Sequence, residues 1–323
     1  MTRTVRLLLL IAGIGVLVLI VWRAGPELVL GMLAQVGWSF LLIVGVYAAY
    51  VVIRAVALWR SVLHSRVRFR DMLRIQLSAE AVEWLTFTGP FLAEPTRGLI
   101  LTRRHGFPAA AAFAAIATEY LLYMFVSSCL AAAAMSLLLA RDLLSVALRP
   151  AAIAVLAVTL AFIAACVYAA STGIGLIVPT LRASRVVIGV QRAHRISSAV
   201  GQVERVIVEF LHEHPARLAS VIVLESAAHA LLMLEIWIVM AALGFRLPWP
   251  NPLIVEGGVK FTGIAFAFVP GQVGASEAVY TLLVGAIGLP AAAGVTLALL
   301  RRMRGLLVAA AGLVALSVAQ RSK

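Results

Sequence analysis

The sequence predicts an all-α polytopic membrane protein, with about six full spans and two broken re-entrant hairpins. Three observations predict it. The 323 residues are 63% hydrophobic, with a mean hydropathy of +1.04 and only 13% charged residues. A soluble domain of this size cannot hide so much apolar surface. Several uninterrupted runs reach the roughly 20 apolar residues that cross a bilayer core. Those runs are continuous rather than alternating with period two, which excludes a β-barrel.

The elements follow in order. "MTRTVRLLLLIAGIGVLVLIVW" has a basic start and an apolar run without a small-x-small cleavage site, so it reads as a retained first span over residues 6–22. The second span covers residues 38–59, with tryptophans at its ends as interfacial anchors. The loop "RAGPEL" between them carries little positive charge, whereas "RSVLHSRVRFRDMLR" after them is strongly basic. By the positive-inside rule the N-terminus and this basic loop face the cytoplasm.

Residues 72–106 then hold Glu80, Glu83 and Glu94 in an apolar setting, with breaks at Gly89-Pro90 and Pro95 and basic flanks on both sides. A hairpin that enters and leaves on the same face fits this better than a crossing. Broken backbone is tolerated at membrane depth only where protein or a water-filled cavity satisfies it. Spans over 108–139 and 148–170 come next. The stretch 171–217 is long, polar, basic and amphipathic, and reads as a cytoplasmic surface linker that meets anionic headgroups. A span over 218–243 and the turn "GFRLPWPNP" lead to a second apolar, broken segment. That segment contains Pro270, Gly271, Gly274 and Glu277 and is expected to enter from the opposite face. The last span, 290–318, carries "RRMR" well inside it and ends in the cytoplasm. Two glutamate-bearing hairpins, one in each half, suggest inverted pseudo-symmetry around a midplane substrate site.

The charges narrow the function. There are 27 Lys+Arg against 14 Asp+Glu, a net charge of +13, and the only lysines are Lys260 and Lys323. Because the arginines cluster in short loops, this balance points to membrane topology and anionic lipids rather than to nucleic acid. Glu80, Glu83, Glu94, Glu119, Glu225, Glu235, Glu256 and Glu277 all lie in apolar surroundings. Each costs about 2.5–3.5 kcal/mol at a helix centre on insertion scales, so together they imply a polar interior.

Helical spacing supplies local partners: Glu256 with Lys260 and Glu225 with His229 at i,i+4, and Glu94 with Arg97 at i,i+3. Such pairs either neutralise one another or serve a substrate. Arg301 and Arg304 share a face of the last span, Arg302 sits beside them, and Arg54 falls late in the second. Their guanidinium forks suit phosphate, and the alternative is that Arg54, Arg301 and Arg302 extend to an interface. Cys129 and Cys166 show no disulfide framework, and no metal spacing, nucleotide loop or cofactor motif occurs.

Two stretches carry a resemblance to a known family. "GPFLAEPTRGLILTRRHG" and "VPGQVGASEAVYTLLV" resemble the two motifs of the flippase-like membrane domain family. This is the transmembrane portion of lysylphosphatidylglycerol synthase (the multiple peptide resistance factor), together with its stand-alone relatives. Ala93 and Gln272 stand where the family's motifs often have glycine. The resemblance covers nearly the whole chain and implies one integral-membrane domain, 1–323, in a bacterial-type inner membrane. It also implies that lipid moves between leaflets rather than being synthesised, since no stretch is left for the aminoacyl-transfer domain. On this reading Glu94 and Glu277 organise the hairpins and meet cationic groups or protons. Arg97, Arg301 and Arg304 meet phosphate, and the Glu80/Glu83 pair is the first place to look for acid–base chemistry. Its partners are membrane lipids, with the cargo open between phospholipid, hopanoid and lipid-linked sugar. The alternatives are an intramembrane enzyme acting on headgroups and a non-transporting scaffold.

Overall fold

A computed structural model describes residues 3–62, 67–86, 89–175, 178–180, 190–260 and 272–321. Among these residues every long element is a helix. The chain begins with α1 (Arg3–Ala24), α2 (Pro26–Val36) and α3 (Ser39–Ser61). Gly25, at φ +89°, turns the chain by 88° between α1 and α2, and Pro26 starts α2 where its missing N–H is not needed. The stretch expected as the loop "RAGPEL" is therefore a corner leading into a second helix. The glycine supplies a backbone angle that other residues rarely adopt.

Next come α4 (Phe69–Leu85) and α5 (Gly89–His105), which pack against each other across a short break. Thr86 ends α4, its hydroxyl and its N–H both donating to the Val82 carbonyl. Gly89-Pro90 is not the break itself but the first turn of α5, whose interior holds Pro95. Arg103, Arg104 and His105 occupy its last turn, where positive charge complements the helix dipole.

The alanine-rich α6 (Ala109–Ala140) is followed by a short 3-10 turn and α7 (Arg149–Thr172). Helix α8 (Val190–Glu213) lies within the polar linker and packs on α6 and α7 through Ile207, Phe210 and Leu211. Then follow α9 (Pro215–Ala242), α10 (Pro250–Val259), α11 (Ala275–Ala286) and α12 (Ala291–Arg321). Among the described residues four helices are long and apolar enough to cross a membrane: α3, α6, α7 with its leading 3-10 turn, and α9. The bent α1–α2 pair makes a fifth if it counts as one span. Helix α12, at 31 residues, has the length, but Arg301, Arg302 and Arg304 interrupt its apolar run.

The pairing of helices crosses the chain. α3, which precedes the α4–α5 pair, packs along α9, which precedes α10 and α11. α4 packs on α12, and α10 packs on α6, so the first helix of each pair leans on the helix that follows the other pair. Small residues permit the close approach. A Cβ on Gly312 would overlap the Leu77 carbonyl oxygen of α4, and one on Gly257 would sit 2.5 Å from the Leu130 carbonyl oxygen of α6.

Polarity runs opposite to that of a soluble protein. Leu313 is 50% exposed and Val158 68%, while Glu119, Glu225, Glu235 and Glu277 are 0% exposed. An apolar exterior around a charged interior is stable only where the surrounding medium is itself apolar. The chain is an integral membrane protein.

Candidate functional site

The interior charges gather in two centres. In the first, α3 supplies Arg54, whose Nε and Nη2 donate to Glu119 Oε1 of α6 at 2.9 and 2.6 Å. Arg54 Nε also lies 3.5 Å from Glu225 Oε1 of α9. From α5, Arg97 Nη1 donates to Glu94 Oε2 and to Glu119 Oε2, both at 3.1 Å. The Arg54 guanidinium stacks 4.1 Å from the centre of the Tyr123 ring, a favourable cation–π contact.

The second centre is built around α12. Arg301 donates to Glu256 of α10 at 2.8 Å, to the Tyr280 hydroxyl at 2.6 Å and to the Leu232 carbonyl at 2.8 Å. One turn on, Arg304 makes a bidentate pair with Glu235 of α9 and lies 3.6 Å from the centre of the Tyr47 ring. Glu256 also takes Lys260 Nζ at 2.5 Å. Between the centres, Glu80 of α4 accepts from Tyr47 at 2.7 Å and from Gln76 at 3.2 Å. Nearly every charge here has an ionic or hydrogen-bonded partner, as buried charges require.

These centres border a cavity of about 790 Å³. Its acidic lining is Glu80, Glu83, Glu94 and Glu256, and its basic lining is Arg54, Lys260, Arg301, Arg302 and Arg304. Tyrosines 47, 50, 120, 123 and 280, with Trp84, complete an amphipathic wall. The acidic groups Glu80, Glu83 and Glu94 come from the α4–α5 pair and Glu256 from α10. Arg54 comes from α3, Lys260 from the end of α10, and Arg301, Arg302 and Arg304 from α12. Such a lining can hold a headgroup carrying both signs of charge.

Glu277 has a defined local task. It stands at the third position of α11 and its Oε2 accepts the Gly274 N–H at 2.8 Å, satisfying a backbone donor that the helix leaves free. Its Oε1 takes Arg302 Nε and Nη2 at 3.0 and 2.7 Å, fastening α11 to α12. Just before it, Gln272 has φ +51° and Gly274 φ +81°. The position where the family's motif often has glycine thus keeps a glycine-like backbone despite its side chain.

Among the other residues expected at the site, Arg301 and Arg304 are brought together on Glu235, at 6% and 4% exposure. Arg54 is 5% exposed, so neither it nor Arg301 extends to an interface, and Arg302, at 23% side-chain exposure, is held by Glu277. Their nitrogens are held by carboxylates, and a phosphate would have to compete for them. Glu225 and His229 are joined differently from the expected side-chain pair. The ring Nδ1 lies 2.8 Å from the Glu225 backbone carbonyl and Nε2 lies 2.8 Å from Ser127 Oγ. Helical geometry at i,i+4 brings a ring to a carbonyl as readily as to a carboxylate. Glu83 borders the cavity with no hydrogen bond or ion pair among the described residues. Pro270 and Gly271 lie outside the described residues. Tyr47, Tyr50, Tyr123 and Tyr280 were not expected at the site. A tyrosine in an apolar run gives no sign of which face it takes.

A family model described as the lysylphosphatidylglycerol synthase TM region matches residues 7–312. No curated protein and no solved structure matches the chain. A polytopic helical bundle with two broken, glutamate-bearing helix pairs, matched over nearly its whole length by that model, belongs to the family of the lysylphosphatidylglycerol synthase transmembrane region.

Proposed function

We propose that the protein is a lipid flippase, a transporter rather than an enzyme. It moves a lipid with a phosphate-bearing headgroup between leaflets while the tails stay in the bilayer. The observation that carries this is the charged cavity of about 790 Å³ inside an apolar bundle. Its size lies within the roughly 300–1,000 Å³ of small-molecule sites. The lipid in the family's name, lysylphosphatidylglycerol, has both phosphate and amino groups, and a lining that carries both acidic and basic groups suits that combination.

The headgroup enters between the α4–α5 and α10–α11 pairs, which act as two oppositely oriented re-entrant hairpins in an inverted pseudo-symmetric arrangement. The reciprocal packing of α4 on α12 and α10 on α6 supports this reading. With α12 as a sixth span, both termini face the cytoplasm of a bacterial-type inner membrane. The basic loops then rest on anionic headgroups.

Reconstitution into phosphatidylcholine vesicles with nitrobenzoxadiazole-labelled phosphatidylglycerol tests the reading. Dithionite should bleach the inner-leaflet probe in protein-containing vesicles, with the lipid chemically unchanged on extraction. Probe that stays protected sinks the reading, and converted lipid establishes an enzyme instead.

A further inference from the structure

The first charge centre contains more carboxyls than cations. Glu94, Glu119 and Glu225 share Arg54 and Arg97, three potential negative charges against two fixed positive ones. The imbalance is mostly buried: Arg97 is 1% exposed and Glu119 and Glu225 are 0%, while Arg54 and Glu94 border the cavity. Arg54 Nε–H is already donated to Glu119 at 2.9 Å. As a result neither oxygen of Glu225 accepts a hydrogen bond among the described residues. A buried carboxylate without donors is strongly disfavoured relative to its neutral acid.

The other faces around Glu225 offer no relief. On its own helix His229 turns its ring to Ser127 and to the Glu225 backbone carbonyl. From α8, Val203, Ile207, Phe210 and Leu211 pack in an apolar cluster with Val221 of α9. From α10 and its end, Glu256 and Lys260 engage each other, with Lys260 over the Tyr123 ring. Arg301 and Arg304 of α12 are taken by Glu235 and Glu256, more than two turns along α9.

We infer that Glu225 is a proton-binding site and that the protein couples lipid movement to protons. This deepens the flippase reading and rests on it. In the resting arrangement a proton that enters past Glu94 and Arg54 at the cavity edge forms an O–H bond on Glu225, leaving Glu94, Glu119, Arg54 and Arg97 balanced. Arg54 lines the cavity, where an incoming anion can compete for its guanidinium. A lipid phosphate that takes Arg54 leaves Glu119 and Glu225 with Arg97 alone, which tightens proton binding. Departure of the phosphate restores Arg54 and loosens the proton, whose O–H bond breaks with release to water. Linkage makes this reciprocal: protonation strengthens phosphate binding by the same factor that phosphate strengthens protonation.

Two measurements decide it. Infrared difference spectra of the detergent-solubilised chain, taken across a pH titration, should show a protonated-carboxyl C=O band that Glu225→Gln abolishes and Glu225→Asp keeps. Glu225→Asp also guards against loss of fold. An unchanged band in Glu225→Gln overturns the proton site. In vesicles with labelled phosphatidylglycerol, an imposed pH gradient should speed probe movement by the wild-type chain, and Glu225→Gln should lose at least tenfold of that response. Wild-type movement indifferent to the gradient, or an undiminished response in the variant, overturns the coupling. Absence of probe movement under every condition defeats the flippase reading and the coupling together, and the infrared result still decides the proton site.

Discussion

Arg54 Nη2 lies 2.6 Å from Glu119 Oε1, joining α3 to α6 within the bundle. Glu119 in turn holds Arg97 of α5, so one carboxylate fastens three helices. Removing one member of a buried pair leaves the other charge stranded, typically at about 3–5 kcal/mol.

Glu119→Gln is therefore expected to lower the thermal unfolding temperature in detergent more than any neutralisation in an exposed loop. Adding Arg54→Gln to it should recover part of the loss. A double-mutant cycle by thermal denaturation measures this, with an expected coupling of about 0.5–3 kcal/mol. Strictly additive losses would show that the two residues do not depend on each other.

Gln272→Gly is expected to stabilise the protein. Gln272 has φ +51°, a conformation that costs roughly 1–2 kcal/mol for a residue with a Cβ. Part of this is lost again to the greater freedom of glycine in the unfolded chain. The measurable outcome is a higher unfolding temperature; a lower one would mean that the Gln272 side chain contributes more than its backbone strains.

Gly312→Val is expected to destabilise the contact between α12 and α4, because its side chain would collide with the Leu77 carbonyl. Overpacking of this kind costs about 1–3 kcal/mol, more where backbone must shift. Gly45→Ala is the matched control, since nothing lies within 4 Å of the added carbon. Thermal denaturation of both variants against wild type should separate them clearly.

Glu277→Gln is expected to weaken the bond from Gly274 and the clamp on Arg302, each a hydrogen bond to a charged group worth about 1.5–3 kcal/mol. Thermal unfolding in detergent should come at a lower temperature, and labelled-lipid movement should fall. Arg302→Lys keeps a charge without the fork and should lie between wild type and Glu277→Gln on both readouts. Equal behaviour of all three would remove Glu277 from the workings of the second hairpin.

What could be read in the sequence depended on distance along the chain. Glu256 with Lys260 and Glu94 with Arg97 are visible because a helix fixes neighbours three and four residues apart. The partners of Arg54 and Arg304 are 65 and 69 residues away. No local pattern encodes them, because helix packing decides which faces meet. The apolar helices α3, α6, α7 and α9 follow from run length alone. The 88° corner at Gly25 does not, since a Gly-Pro pair fits a loop between spans as well as a bend between helices. The aromatic wall of the cavity was hidden for a similar reason: a tyrosine is tolerated facing lipid headgroups or protein.

The exchange of partners between the two halves has a consequence for synthesis. Helix α4 ends at Leu85, and its main support, α12, begins at Ala291. At about 5–20 residues per second the ribosome needs on the order of ten seconds or more to make the stretch between them. Through that interval Glu80 already has Tyr47 and Gln76 as partners, but the face of α12 on which α4 rests has not yet been translated. The packing of α4 can thus be completed only after the last helix has been made.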